Sequence, residues 1–492
     1  MNRRIFVRTV SLLVAGAMTG LRKVAGAMHI RAKAVKVNGR VTAAGKPVKG
    51  ALISDGVNIV KTDNQGKYTL TTDADAEFVW ISVPAGFAFP HHNGIADFYR
   101  RINQEKNEQA IDFKLDRLSR DDRKHQFALW ADPQIKYDED ARELINVSAP
   151  DLKAVIESYG KDALFHGVGC GDLVWDEPRL FPDYNKAVAI AGIPFFQVIG
   201  NHDIDYNVDD SQSDRTFKSH YGPTYYSFNR GNAHYIVIDD VYYEGEDKKY
   251  KGFITDKQMA WLEKDLALVK PGSLVIVNIH IPSYTEMHIR NKKENPAPGG
   301  TVSNREKLYA LLAPFNTHIL SGHTHYNENI VNGNIMEHVH GTVCGAWWTG
   351  PVCSDGTPNG YGIYEVEGND LKWYYKSTGK SRDYQLSIYS IALDGKAANA
   401  IMANVWNWDP QWKVELIADN TNIGEMKQHT GLDPQAVILY QGKDIPAKHK
   451  FVEPTATSHL FLGNVPAGTK KATVKVTDRF GQVYTQSIAL DA

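Results

Sequence analysis

The chain of 492 residues carries 55 Lys and Arg against 57 Asp and Glu, a formal charge of -2, with 42% hydrophobic and 23% charged residues. This balance excludes a disordered or collagen-like chain and gives no electrostatic case for nucleic-acid binding. Three Cys cannot all pair within one chain, which excludes a disulfide scaffold, while 24 Tyr, 18 Phe and 10 Trp can supply β-rich cores and pocket walls.

At the N-terminus, Asn2-Arg3-Arg4-Ile5-Phe6 leads into a mostly apolar or small stretch from Thr9 to Leu21, then Arg22-Lys23 and Ala25-Gly26-Ala27. A basic start, a short apolar run and an Ala-x-Ala site predict an export signal over 1–27. The run is too short for a membrane span of about 20 residues. The Arg pair followed by Ile-Phe resembles a twin-arginine signal, which implies a bacterial protein of the periplasm or the extracellular space.

Three regions follow. Residues 35–117 alternate in the manner of β-strands, as in Val35 to Val41 and in Lys67 to Leu70, with a hairpin signal at Asp63-Asn64-Gln65-Gly66. This region resembles the carboxypeptidase regulatory-like β-sandwich. His91-His92 are adjacent on an extended segment, so their side chains point apart and are read as solvated. Residues 125–380 alternate apolar strands with helical stretches, among them Asp256 to Val269 and Asn304 to Leu312. That pattern predicts a layered α/β domain. Residues 385–492 return to β alternation, as in Lys413 to Ala418 and Lys471 to Asp478, and are expected to form a second all-β domain.

The chemistry gathers where the central strands end. Gln126 to Ala131 ends in Asp132 and Gln134, and Ala163 to Gly169 ends in Gly171-Asp172. Ile193 to Ile199 ends in Gly200-Asn201-His202-Asp203, Leu274 to Ile279 in His280, and Thr317 to Leu320 in Gly322-His323-Thr324-His325. Layered α/β sheets place their sites at such ends. Asp132 and Gln134, like His323 and His325, stand two apart and would share a face in extended backbone. Carboxylate, amide and imidazole donors without Cys suit Mn, Fe or Zn.

In this order the five segments resemble the calcineurin-like metallophosphoesterase superfamily, and the three-part layout resembles a bacterial subgroup with a β domain on each side. The resemblance implies a layered β-sandwich flanked by helices and two divalent metal ions. The first would be held by Asp132, Gln134, Asp172 and His325. Asp172 would bridge to the second, held with Asn201, His280 and His323. His202 would face the substrate as stabiliser or general acid, with Asp203 orienting it from behind. The implied reaction is hydrolysis of a small-molecule phosphate ester by hydroxide activated between the metals.

Gln134 departs from the pattern, which usually has His there. An amide oxygen should bind the first metal less tightly and favour a harder ion. The Asp-x-Gln start also looks like the Mn-dependent ADP-ribose/CDP-alcohol diphosphatases of the superfamily. Mn2+ is therefore expected, with Fe or Zn as alternatives, and a phosphodiester or pyrophosphate bond as target. The alternatives are a phosphomonoesterase, or a β-module binding protein with an inactive core. Trp347, Trp348 and Tyr361, among glycines after the last donor strand, are expected to wall a substrate pocket, with Asp355 nearby and Trp175 as either pocket or core. Cys170 is read as a small buried residue beside the site. Cys344 and Cys353 could pair, and His338 and His340 are read as structural.

Overall fold

The computed structural model describes residues 33–391, 400–443, 445 and 448–490; the expected export signal at 1–27 lies outside them. No helix among the described residues is long and apolar enough to cross a membrane.

Two sheets stack in the centre of the molecule. The first has seven strands, in the order Asp370–Ser377, Gly360–Glu367, Lys124–Trp130, Phe165–Cys170, Phe195–Val198, Ile95–Ala96 and His91–His92. Its three middle strands run parallel. The second has six strands, in the order Tyr226–Arg230, Ala233–Val237, Leu274–Asn278, Asn316–Ser321, Ile335–Val339 and Glu328–Asn332, with four of them parallel.

The parallel strands are apolar almost throughout because both faces are covered. Phe127 and Leu129 turn toward the second sheet and join a core with Val168, Val198, Ile236, Ile276 and Ile319. Ala128 and Trp130 turn the other way, onto the helices Ala149–Ser158 and Phe181–Ala191, where Leu152, Phe181 and Tyr184 meet them. The two expected helices of the second half are Asp256–Leu266, where the Thr255 side chain accepts a hydrogen bond from Gln258 N at 3.3 Å, and Arg305–Leu312.

The N-terminal β region differs from the expectation in one connection. The turn at Asp63–Gly66 forms, with Gly66 N donating to Asp63 O at 3.0 Å. Its two arms do not pair with each other. Ile59–Lys61 pairs with Leu52–Ser54, and Lys67–Thr71 pairs with Lys36–Arg40 in another sheet. Crossing between sheets lets Tyr68 and Leu70 face the interior while Lys67, Thr69 and Thr71 stay exposed.

This region is continuous with the centre. The hairpin His91–His92 and Ile95–Ala96 extends the seven-stranded sheet, with Ile95 parallel to Phe195, and both histidines are exposed. Phe89 lies 5.0 Å from the Phe196 ring, 5.2 Å from Phe228 and 5.4 Å from His166. One apolar core thus runs from Val37 to Ile319.

The C-terminal region has two four-stranded sheets around its own core. Ser387–Ile391, Ala400–Asn404, Thr457–Asn464 and Lys427–Gly431 form one, and Thr421–Glu425, Lys413–Ala418, Lys471–Thr477 and Val483–Ala489 the other. Asn327 Nδ2 donates to Trp406 O at 2.6 Å, and Asn404 Nδ2 donates to Asp355 O at 3.0 Å, joining this region to the centre.

Because Phe89 belongs to both the N-terminal and the central core, Phe89→Ala is expected to destabilise the protein by about 3–5 kcal/mol, as for other buried aromatic truncations. Denaturation followed by near-UV circular dichroism and by activity should show both signals lost together at the lower midpoint. An early N-terminal transition that leaves the activity midpoint unmoved would refute the shared core.

Candidate metal centre

The expected donors follow the C-terminal ends of five parallel strands, spread over both sheets. Asp132 and Gln134 follow Lys124–Trp130, Asp172 follows Phe165–Cys170, and Asn201 follows Phe195–Val198. His280 follows Leu274–Asn278, and His323 and His325 follow Asn316–Ser321.

The backbone that presents them is not extended. Asp132 (φ 45°), Gln134 (φ 41°), Asp172 (φ 47°), His323 (φ 69°) and His325 (φ 56°) all lie in the left-handed region. The expectation that residues two apart share a face of extended chain is therefore corrected. Each pair is presented by a kinked loop, in a conformation uncommon for residues other than glycine. Two glycines make room for it. A Cβ on Gly200 would lie 2.0 Å from Asp172 N, and one on Gly322 would lie 2.3 Å from Asp132 Oδ2.

The side chains converge. Asp172, His280 and His323 each offer a ligand atom within 4.8 Å of the others. His280 Nε2 lies 3.1 Å from Asn201 Oδ1, 3.3 Å from Asp172 Oδ1 and 3.3 Å from His323 Nδ1. On the other side, Gln134 Nε2 donates to Asp172 Oδ2 at 3.2 Å, and His325 Nε2 lies 3.7 Å from Asp132 Oδ1. Asp132 accepts from His323 N at 2.9 Å.

This arrangement fits metal ions. Gln134 Oε1 is buried without a hydrogen-bond partner, as an amide oxygen reserved for a cation would be. His280 Nδ1 bonds Cys170 O at 3.0 Å and His325 Nδ1 bonds Gly345 O at 2.8 Å, which turns each Nε2 inward. Fixing one ring nitrogen on a carbonyl to aim the other is how histidine ligands are oriented.

The electrostatics divide the donors. Burial holds Asp132 well above its ordinary range. Burial would also raise Asp172, but His280 and His202 outweigh it and hold that carboxylate well below its ordinary range. Asp172 in turn lifts His280 to about 10 against the effect of its own burial. Burial depresses His323 to about 3 and His325 to about 4. His323 and His325 are thus neutral, as ligands to cations must be, whereas the charged His280 ring faces Asp172 in the place a cation would take and must give up its proton when one binds.

His202 is half-buried at the edge of the donors, and its backbone N donates to Asp172 Oδ1 at 2.8 Å. Its partner is Asp176, whose Oδ1 lies 2.7 Å from His202 Nδ1 and accepts from Tyr206 OH at 2.5 Å. This corrects the expectation for Asp203. The Asp203 carboxylate is fully buried and accepts from Gly200 N at 2.9 Å and Val174 N at 3.0 Å, so it braces two donor loops. Burial would raise Asp176, yet His202 and Lys248 bring it down to about 2.

The expected pocket residues divide. Trp347 stacks on the His325 ring, centroids 4.2 Å apart and planes at 20°. Trp348 is half-buried, and its Nε1 donates to Pro133 O at 2.9 Å, so it braces the Asp132–Gln134 loop. Tyr361 is not a pocket wall. It is fully buried on the strand Gly360–Glu367, facing the helical layer, and its hydroxyl donates to Asp151 Oδ2 at 2.6 Å. Asp355 is buried as well, accepting from Asn327 N at 2.8 Å. Cys344 and Cys353 are free buried thiols near Thr342 Oγ1, at 3.6 and 3.8 Å, and Cys170 is also buried and free. His338 and His340 are buried against His318 and Tyr364, at 2.9 and 2.5 Å.

Two residues near the donors were not foreseen. Asp176 comes four after Asp172 and carries no motif of its own. Asp240 Oδ1 accepts from His280 N at 3.1 Å and Ile281 N at 3.3 Å. The signal for Asp240 was its place just past the strand Ala233–Val237, the one central parallel strand of the second sheet followed by an acidic pair.

Comparison with known proteins gives the family of the chain. The family "Calcineurin-like phosphoesterase" matches residues 127–327, its N-terminal domain residues 35–118 and its C-terminal domain residues 337–484. Comparison with curated proteins gives no match. Among solved structures, the chain is similar to a dimetal phosphatase from Danio rerio, at 13% identity and TM-score 0.37, covering 51% of this chain and 96% of that one. It is also similar to a purple acid phosphatase from yellow lupin seeds, at 13% identity and TM-score 0.37, covering 65% of this chain and 56% of that one. A 5'-nucleotidase from Candida albicans is similar at 12% identity and TM-score 0.31, covering 52% of this chain and 53% of that one. With its N-terminal, central and C-terminal parts all matched, the chain belongs to the calcineurin-like phosphoesterases and is a metal-dependent phosphoric ester hydrolase.

Proposed function

We propose that this enzyme is exported and hydrolyses phosphodiester or pyrophosphate bonds with two divalent ions, Mn2+ in the first place. The observation that carries the reading is the cluster of Asp172, His280 and His323, joined through close contacts by the other four donors, with the Gln134 Oε1 left unpartnered among them. Asp132, Gln134, Asp172 and His325 would hold one ion, and Asp172, Asn201, His280 and His323 the other. Four oxygen donors among seven side chains suit Mn2+, which accepts carboxylate and amide oxygens readily. The export signal at 1–27 supports the cellular location.

When bound, such ions supply Lewis acidity toward phosphoryl oxygens and an activated water at neutral pH. The chain supplies the rest. Asp172 draws Gln134 and His280 toward one point through its two carboxylate oxygens. Asp176, held low in pKa, keeps its carboxylate charged beside His202 Nδ1 and so places a proton on that nitrogen. With Nδ1 engaged by Asp176, Nε2 is the ring nitrogen that would hold or give a proton to the leaving oxygen. A direct test is hydrolysis of bis(4-nitrophenyl) phosphate by metal-free protein with and without added Mn2+. No Mn2+-dependent release of nitrophenolate would overturn the reading.

Four substitutions probe the roles. Asp172→Asn removes the shared carboxylate and is expected to lower kcat/KM by at least about 10³-fold, the scale of losing a metal's Lewis acidity, with at least one metal fewer per chain by elemental analysis. Gln134→His should tighten the first site and move its preference toward Zn or Fe, by the affinity of those ions for imidazole. Unchanged metal preference in competition binding would show that Gln134 does not coordinate. His202→Ala should cost about 10²–10⁴-fold on alkyl leaving groups, the usual worth of general acid catalysis, and much less on nitrophenolate. Asp176→Asn should follow the same pattern more weakly, and equal losses on both esters would assign His202 a different part.

A further inference from the structure

The C-terminal region reaches the metal centre through the segment 448–453. His449 and Phe451 stand beside the two tryptophans that flank the donors. The Phe451 ring lies 5.4 Å from Trp347 and 6.1 Å from Trp175. The His449 ring lies 5.2 Å from Trp175 and 5.3 Å from Phe451. Trp347 is the ring stacked on His325, and Trp175 meets His202 edge-on at 5.8 Å. The four rings therefore touch the metal centre at one end and the general-acid candidate at the other.

Phe451 is 58% exposed. It is not an isolated ring: with the partly exposed Trp175 and Trp347 it makes a joined aromatic patch beside the donors. The segment is not loosely placed. Val452 is buried with Val352, Ala346 and Tyr440, Thr455 N donates to Ser354 O at 2.8 Å, and Lys448 pairs with the buried Asp140 carboxylate. The Lys136 ammonium lies 4.0 Å from the Trp175 ring centroid and has no carboxylate partner among the described residues, so the rings sit beside positive charge.

We propose that Trp175, Trp347, His449 and Phe451 form a binding site for a flat ring on the leaving group, so that the C-terminal region sets the enzyme's substrate preference. The side is fixed by His202: the wall that touches it receives the part of the substrate whose oxygen takes the proton. Aromatic faces hold flat rings of many kinds at low entropic cost, and an ammonium beside them suits a ring carried close to phosphate charge. The class of substrate is thus a phosphate ester whose leaving alcohol bears a planar ring. This inference rests on the phosphodiesterase reading.

A single mixed diester separates the two claims. Benzyl methyl phosphate can release benzyl alcohol or methanol, alcohols of similar acidity, and their ratio does not depend on how much enzyme is active. The full-length protein with Mn2+ is expected to release benzyl alcohol in large excess. In Phe451→Ala the ratio of benzyl alcohol to methanol should fall by about ten- to a hundredfold, the range for a lost ring stack. His449→Ala should lower it less, and Phe451→Tyr should restore it. An unchanged ratio in Phe451→Ala overturns the ring site while leaving the phosphodiesterase intact. Release of neither alcohol by the wild type overturns the diesterase reading and this inference with it.

Discussion

The metal centre depends on the position of one residue. Asp172 O accepts from Gln134 N at 2.8 Å, and Asp172 Oδ1 accepts from His202 N at 2.8 Å. Oδ2 accepts from Gln134 Nε2, and Oδ1 lies 3.3 Å from His280 Nε2. Four donor-bearing loops, those of Gln134, Asp172, Asn201–His202 and His280, thus meet at one aspartate. It is fully buried, so each of these bonds acts without competition from water. Shift Asp172 and every loop around it must find a new partner.

Holding it there carries a conformational cost. Five donors sit in left-handed backbone, a conformation worth about 1–3 kcal/mol each when a non-glycine residue is forced into it. The sheets provide the stiffness that keeps the loops so. Each kink begins within a few residues of a strand buried on both faces, and Asp203 and Asp240, carboxylates raised by burial to about 7, clamp loop amides that would otherwise be free to relax. The donor loops are thus held by the protein's own hydrogen bonds, which spares a bound state much of the ordering cost.

The order of the donor segments was legible because each follows a run of apolar residues that can only be a buried strand. The layering was legible from the same runs alternating with the helical stretches Asp256 to Val269 and Asn304 to Leu312. What escaped was everything set by distance through space. Asp176 partners His202 across 26 residues, and nothing in its neighbourhood distinguishes it from a surface aspartate. Asp203, next in sequence to His202, points inward because the tight turn after Gly200 places its carboxylate over Gly200 N and Val174 N. Tyr361 looked like a wall because it follows glycines. The alternation of its strand sends it instead to the helical layer, where its hydroxyl donates to Asp151, itself paired with Lys376. Phe451 was invisible, since a ring 126 residues past the last donor joins the site only through a domain contact.

That domain contact reaches the donors themselves. Asn327, two residues after His325, gives its backbone N to Asp355 Oδ2, and the same oxygen lies 2.9 Å from His459 Nε2 on the C-terminal strand Thr457–Asn464. His459 Nδ1 is in turn held by Asn404 Oδ1 at 2.7 Å. Burial would raise Asp355, but His459 and the amides hold it below its ordinary range, so the link is a buried charge satisfied on all sides. Buried polar groups of this kind tolerate little displacement, because any opening strands a desolvated charge. The C-terminal region is therefore fixed to the loop that carries His325, and the strand that fixes it begins six residues after Phe451. A ring site built across two regions needs that rigidity, and the Asp355–His459 link supplies it through Asn327, two residues from the donor His325.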